Sequence, residues 1–360
     1  MSEAYQLSTL NKSVAYCKSA AHHQSASVSP STEHNLQMKK RIDYIDAIKG
    51  LVIFGVVWVH TVHPNWLTPA LVNSIFFFLS GIFFKRKSFA TFLRDKVRTI
   101  LIPFAFFYLL SYPFRLIVHL WDFRTLDTFN WSCILDVFTC SAKSDYLFVN
   151  VPLWFLICLF VIQIIYYFVS YLDRRIICVI ILLCLLFKGL FLSTPSLFMI
   201  NHAFYNLSFF ALGNLVGPLL IGKLKDTKFH KCSTAISVIL LPMWFIPITT
   251  QYAYLNDIIL HLKLFAVFFS LVSIVSWFDG NKYFAPLRFY GMNSLIILGV
   301  HIMPLIFLGR IAYAILGPYS PTIGFLLSIV VMLVMHVVIL FCNKYIPMLV
   351  GKKVDVSPRF

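Results

Sequence analysis

From Met38 onward the chain alternates long apolar runs with short polar breaks that are mostly basic. Ten such runs stand at roughly 45–63, 67–84, 99–120, 151–171, 176–193, 201–221, 234–250, 257–278, 289–313 and 321–342. Each approaches the length of about 17–25 residues that a membrane-spanning helix needs; the fifth and seventh are among the shortest. None alternates with the period of two expected of a barrel strand, and no run repeats another. The pattern predicts an all-α fold, a polytopic membrane helix bundle of about ten transmembrane helices over residues 38–345. Residues 1–37 are polar and rich in Ser and hold no apolar core of signal-peptide length. They read as a disordered tail, and residues 346–360 as a basic C-terminal tail.

Composition agrees. Apolar residues make up 59% of the 360 and charged residues 12%, with 37 phenylalanines and a mean hydropathy of +0.82. A soluble domain is about 45–50% apolar and about 25% charged. This excludes an ordinary cytosolic enzyme, a disordered chain, a coiled coil and a secreted disulfide scaffold. The eight cysteines show neither a CxxC pair nor zinc spacing. A net charge of +16 would suggest nucleic acid on a soluble protein, but no nucleic-acid module is present. Its distribution fits the positive-inside bias instead. With a cytoplasmic N-terminus, all the Lys and Arg fall in inside segments except Arg115, Arg124, Lys143, Lys188, Lys263 and Arg310. Both termini are therefore expected to be cytoplasmic.

Ionisable residues within spans are costly and point to chemistry. The first span reads RIDYIDAIKGLVIFGVVWVH from Arg41 to His60. Asp46 and Lys49 stand three apart, within reach of each other. Lys49 and His60 are eleven apart, which returns to within about 20° of the same face about 16 Å along the axis. One stripe thus carries an acid and a base near the cytoplasmic surface and an imidazole deeper in. A snorkelling Lys49 and a merely packed His60 are the plainer alternative.

Residues 76–104 read FFFLSGIFFKRKSFATFLRDKVRTILIPF. Ser80-Gly81 sits in an aromatic helix, where the glycine allows close helix approach. Lys85, Arg86, Lys87, Arg94, Lys96 and Arg98 form a basic cluster, either a headgroup anchor or a polyphosphate site. The ninth span contains FYGMNSLIILGVH, placing Ser294 and His301 on one face beside Asn293. Hydrogen bonding between helices would also account for them. Arg115, His119, Lys188, Lys263 and Arg310 lie nearer predicted outer ends and read as snorkelling side chains. The long external loop at 121–150 carries Trp121 and Asp122. There is no nucleophile elbow, P-loop, dinucleotide fingerprint or HExxH helix.

DAIKG…H, FFFLSGIFF, the basic stretch Arg94–Arg98 leading to Ile102-Pro103, PLWFLICLF at 152–160, FFALGNLVGP at 209–218 and YGMNSLIILGVH follow in that order over about residues 41–345. In them the chain resembles the acyltransferase 3 family of integral membrane O-acyltransferases, most nearly the branch grouped with fucose 4-O-acetylases. The resemblance implies a ten-helix bundle with cytoplasmic termini, multi-pass in the bacterial inner membrane. It implies transfer of an acyl group, expected to be acetyl, from acetyl-CoA as co-substrate, without a metal. The acceptor would be a sugar hydroxyl of a cell-surface polysaccharide or lipid-linked glycan. It makes His60 the catalytic residue, with Asp46 on its stripe. Lys49, Ser80, Arg94, Lys96 and Arg98 become donor-binding candidates; the family pattern has an arginine at the position of Lys49, so the charge is kept without the bidentate fork. Trp154, Asn293, Ser294 and His301 become acceptor-side candidates. Expected partners are the acyl-CoA donor, the glycan acceptor and membrane lipids, and no nucleic acid. A secondary transporter is the rival from another class, but it would show inverted repeats and paired broken helices, and neither is found in the sequence. A structural membrane subunit is the third reading.

Overall fold

A computed structural model describes residues 42–61, 66–139, 149–186, 197–318 and 320–352. The expected tail at 1–37 lies outside the described residues, as do 353–360. All regular structure among the described residues is helical. In chain order the main helices are α1 (Asp43–Val59), α2 (Pro69–Ile82), α3 (Phe89–Phe123), α4 (Trp154–Val169), α5 (Arg174–Leu186), α6 (Ile200–Lys223), α7 (Thr227–Leu240), α8 (Ala253–Val275), α9 (Ala285–Met292), α10 (Ser294–Val300), α11 (Ile302–Leu316) and α12 (Pro321–Tyr345).

Every one of the ten apolar runs contains helix, but their lengths divide them. Among the described residues, five helices are long and apolar enough to cross a bilayer, or six if α10 and α11, bent by 53°, count as one span. By this measure α1, α2 and α7 fall short, at 17, 14 and 14 residues, while α5 is described only as far as Leu186. The reasons are local. α2 cannot begin before Thr68, whose Oγ1 accepts from the Leu71 amide at 3.3 Å, with Pro69 in the first turn. α7 gives way at Pro242 to a 3₁₀ turn, Leu241–Phe245. The chain is a multi-pass helical membrane protein, with spans less uniform than the hydropathy suggests.

Proline also shapes α3. A π-helical turn, Val97–Leu101, lies just ahead of Pro103, which has no N–H to offer the Thr99 carbonyl. The start of α1, the join between α8 and α9, and the end of α12 meet at one end of the bundle. There the Tyr44 amide donates to Asp279 Oδ1 at 3.1 Å, Arg288 approaches Asp43 at 3.7 Å, and Lys352 reaches Asn293 at 2.6 Å. Arg288 and Lys352 lie here, with Lys49 close by on α1, and it is called the basic end below.

Two helix crossings dominate the packing, α2 with α6 and α1 with α9. Both are made by glycine. A Cβ on Gly81 would come within 2.0 Å of the Phe210 carbonyl oxygen, and one on Gly213 within 2.1 Å of that of Phe78. At the second crossing, Gly50 meets the Leu287 carbonyl at 1.9 Å and Gly291 that of Asp46 at 1.8 Å by the same measure. Only residues without a side chain let two backbones approach so closely. Asn214 Nδ2 then bonds the Gly81 and Phe84 carbonyls across the first crossing, at 3.2 and 3.3 Å. The close approach expected at Gly81 is present.

Gly81→Ala and Gly213→Ala should each destabilise the protein by about 1–3 kcal/mol or more, because backbone atoms cannot rotate out of the way. Gly222→Ala meets nothing within 4 Å and should be neutral or stabilising by up to about 1 kcal/mol. Thermal unfolding of the detergent-solubilised variants checks this; equal behaviour at the three positions would contradict the packing account.

Candidate active site

α1 carries its polarity from one end of the bundle to the other. Near its start Asp46, buried, holds Lys49 at 3.2 Å, and the ammonium also lies 5.3 Å from the centre of the Phe83 ring. At its far end the helix stops at Val59, and His60 and Thr61 form a turn, with the His60 amide still bonded to the Val57 carbonyl at 3.1 Å. Thr61 Oγ1 donates to the Trp58 carbonyl at 2.7 Å and lies 3.1 Å from Ser328 Oγ on α12. Trp58 packs edge-on against Trp66 and Phe325. These contacts fix the direction in which His60 leaves the helix.

The half-buried His60 ring lies 5.4 Å from the ring of His301, tilted by 45°. His301 is wholly buried and stands at the joint between α10 and α11. The joint follows from Pro304, which leaves the Val300 carbonyl without its helical donor. Asn150 fastens it from outside: its Nδ2 donates to the Gly299 carbonyl at 2.9 Å and to Ser111 Oγ at 2.7 Å. His301 Nδ1 lies 2.8 Å from the Ile297 carbonyl. A carbonyl only accepts, so Nδ1 carries the proton and Nε2 is the lone-pair nitrogen. That Nε2 is buried and makes no hydrogen bond.

Two cavities open beside this pair, and His60 is the residue common to their linings. The smaller, about 370 Å³, brings His60 together with Trp154, His202, Asn73 and Asn206. Trp154 and His202 lie ring against ring at 5.4 Å. The larger, about 630 Å³, adds Thr61, Arg115, Trp121, Asp122 and Arg310. Arg310 donates to Asp122 Oδ2 at 2.6 Å across its wall. A group held in either cavity is within reach of one imidazole.

The structure gathers some sequence candidates and separates others. Trp154 and His301 come to His60. Asp46 does not: it shares the stripe, but fourteen residues of helix put it about 21 Å away along the axis, bonded to Lys49. Asn293 has a bonding role of its own, its buried Oδ1 accepting from Asn343 at 3.0 Å and Lys352 at 2.6 Å. Ser294 opens α10 and Ser80 lies in the last turn of α2, both half-buried and lining neither cavity. The basic cluster does not converge. Lys87 pairs with Asp95, Lys96 lies 5.6 Å over the Phe92 ring, Arg86 lies 5.3 Å over Tyr171, Arg94 is exposed and Arg98 half-buried.

Four cavity residues were not legible as candidates: Arg115, Asp122, Arg310 and His202. Arg115 and Arg310 read as snorkelling cations, yet both line the larger cavity. The available signal was the spacing of seven between Arg115 and Asp122, one helix face on α3. His202 carries no comparable pattern. Among the described residues, no three His, Cys, Asp or Glu side chains come together as a metal would require.

A multi-pass helical bundle with an imidazole shared by two cavities defines a membrane protein built to act on a bound group. An acyltransferase-domain family model, acyltransferase 3, matches residues 42–341, and the chain belongs to that family. It is accordingly an acyltransferase embedded in a membrane. No curated protein and no solved structure matches the chain.

Asn150→Ala should cost about 1–3 kcal/mol, since it strips two buried hydrogen bonds at the helix joint. A fall in unfolding temperature checks it. An unchanged temperature would mean that the joint is held by Pro304 and packing alone.

Proposed function

We propose that the chain transfers an acetyl group from acetyl-CoA to a sugar hydroxyl of a cell-surface polysaccharide or lipid-linked glycan. In this reading it works in the bacterial inner membrane with the basic end and both termini in the cytoplasm. The charge distribution supports that orientation. Lys49, Arg94, Lys96 and Arg98 lie at the basic end and supply cations for the donor's phosphates. The acyl-bearing arm of the donor then has about 16 Å of α1 to run, from Lys49 to His60. The acceptor sugar occupies the cavity beside His60, with Trp154 offering an aromatic wall.

His60 is the general base. It takes the proton from the acceptor hydroxyl as that oxygen attacks the thioester carbonyl. The carbon–sulfur bond breaks, and the departing thiolate receives the proton from the imidazolium. An acyl-imidazole formed first on His60 is the other route and uses the same residue. His301, with its proton held on Nδ1 by Ile297, is a positioning residue behind His60. The observation that carries the reading is the place of His60, common to two cavities and backed by a buried imidazole.

His60→Ala should lose transfer by about 10²–10⁴ or more while the protein still inserts. His60→Gln keeps polarity but cannot take a proton at neutral pH, so it should be as inactive as Ala. Purified protein with labelled acetyl-CoA and a panel of glycan acceptors provides the assay. An active Gln variant would make His60 a packing residue. Glycan uptake into vesicles without any acetylated product would favour a transporter.

A further inference from the structure

At the basic end, where α2, α4, α5 and α6 meet, lies a third cavity, of about 420 Å³, which His60 does not line. Two guanidinium groups line it, Arg86 just beyond α2 and Arg174 at the start of α5, and among the described residues no carboxylate does. They come from segments far apart in the chain, so their meeting is a product of the fold.

The floor is built and already satisfied. Tyr166 donates its hydroxyl proton to Asn214 Oδ1 at 3.0 Å, and Asn214 Nδ2 is spent on the Gly81 and Phe84 carbonyls. Both arginines are held in place by contacts other than ion pairs among the described residues. Arg174 Nη2 donates to the Leu215 carbonyl at 3.2 Å, and Arg86 rests 5.3 Å over the Tyr171 ring. Neither forms an ion pair among the described residues. The nearby Asp173 directs its Oδ1 to the Arg175 amide at 2.7 Å, so it closes a backbone turn. Two like charges on one cavity repel each other, and a bound anion between them relieves this. A guanidinium offers paired donors that match phosphate oxygens bidentately.

We propose that this cavity binds a phosphate group through Arg86 and Arg174. The group would be either the phosphate of a soluble nucleotide or the headgroup of an anionic phospholipid. The site is separate from His60, and its test does not depend on acyl transfer.

The test uses the full chain in phosphatidylcholine nanodiscs. One arm titrates adenosine 3′,5′-bisphosphate by calorimetry. The other adds phosphatidylglycerol and counts retained lipid by native mass spectrometry. Arg86→Gln and Arg174→Gln should each weaken binding in one arm by about tenfold or more, the loss of a charge-assisted contact. Leu172→Glu, at a 43% exposed position on the cavity rim, keeps both arginines but adds an opposing charge, and should weaken the same arm. Arg175→Gln removes an equal charge one residue outside the lining and should leave it unchanged. The arm that responds identifies the source of the phosphate. If Arg174→Gln lowers the unfolding temperature, Arg86→Gln and Leu172→Glu decide, because neither breaks a hydrogen bond to the scaffold. An Arg175→Gln loss as large as the others would reduce the site to general surface charge and overturn the proposal. So would unchanged binding in both arms.

Discussion

The contact of bare backbone with bare backbone at four glycines is the constraint on which this bundle rests. In lipid there is little hydrophobic gain from bringing helices together, and association depends on close van der Waals fit. Gly50 and Gly291 set α1 on α9, while Gly81 and Gly213 set α2 on α6. α1 thereby has a fixed axis, and the axis decides where His60 emerges. α2 has one too, and its end places Phe83 beneath Lys49 and Arg86 beside Arg174. The chemistry at both ends is downstream of two crossings in which no side chain intervenes.

Where the backbone of a helix fails, polar side chains take up the groups it leaves free. Pro304 breaks the ninth run, and the consequences are local: Asn150 takes the Gly299 carbonyl, and His301 fills the joint with its proton on the Ile297 carbonyl. Backbone groups away from water must find partners. A broken helix supplies both the unsatisfied atoms and the room for an imidazole. The same logic holds at Asn293, which joins α9 to α10 and takes up Asn343 and Lys352.

Periodicity and hydropathy suffice for the all-helical bundle, for the close approach at Gly81 and for His60 as the polar end of a stripe. They overstate the uniformity of the spans, because a window average does not register a Thr-Pro cap or a helix that stops at Pro242. They put Asp46 and His60 on one stripe of α1 but far apart along it, and a shared face does not bring two groups to one site. They group Arg86 with Arg94 and Arg98 because neighbours in sequence look like neighbours in space, whereas Arg86 turns away to meet Arg174 from another helix. Arg115, Arg310 and His202 are invisible as a set because they come from three different helices, and no pattern within one segment predicts a cavity wall.

The π-helical turn in α3 has a consequence for how this helix tolerates change. It contains one residue more than an α-helical path of the same rise would, and each residue advances the helix by about 100°. The turn is therefore a phase shifter between two halves of a single rod. Upstream, it sets the azimuth of Arg94 and Lys96; downstream, that of Arg115 and Asp122 at the larger cavity. The two halves need not share one angular register, and each face can answer to its own side of the membrane. Excising a single residue at Val97–Leu101 would leave a regular α-helical turn of nearly the same rise, so both halves would keep their present faces, whereas the same deletion in a regular stretch of α3 would swing one half by about 100° relative to the other.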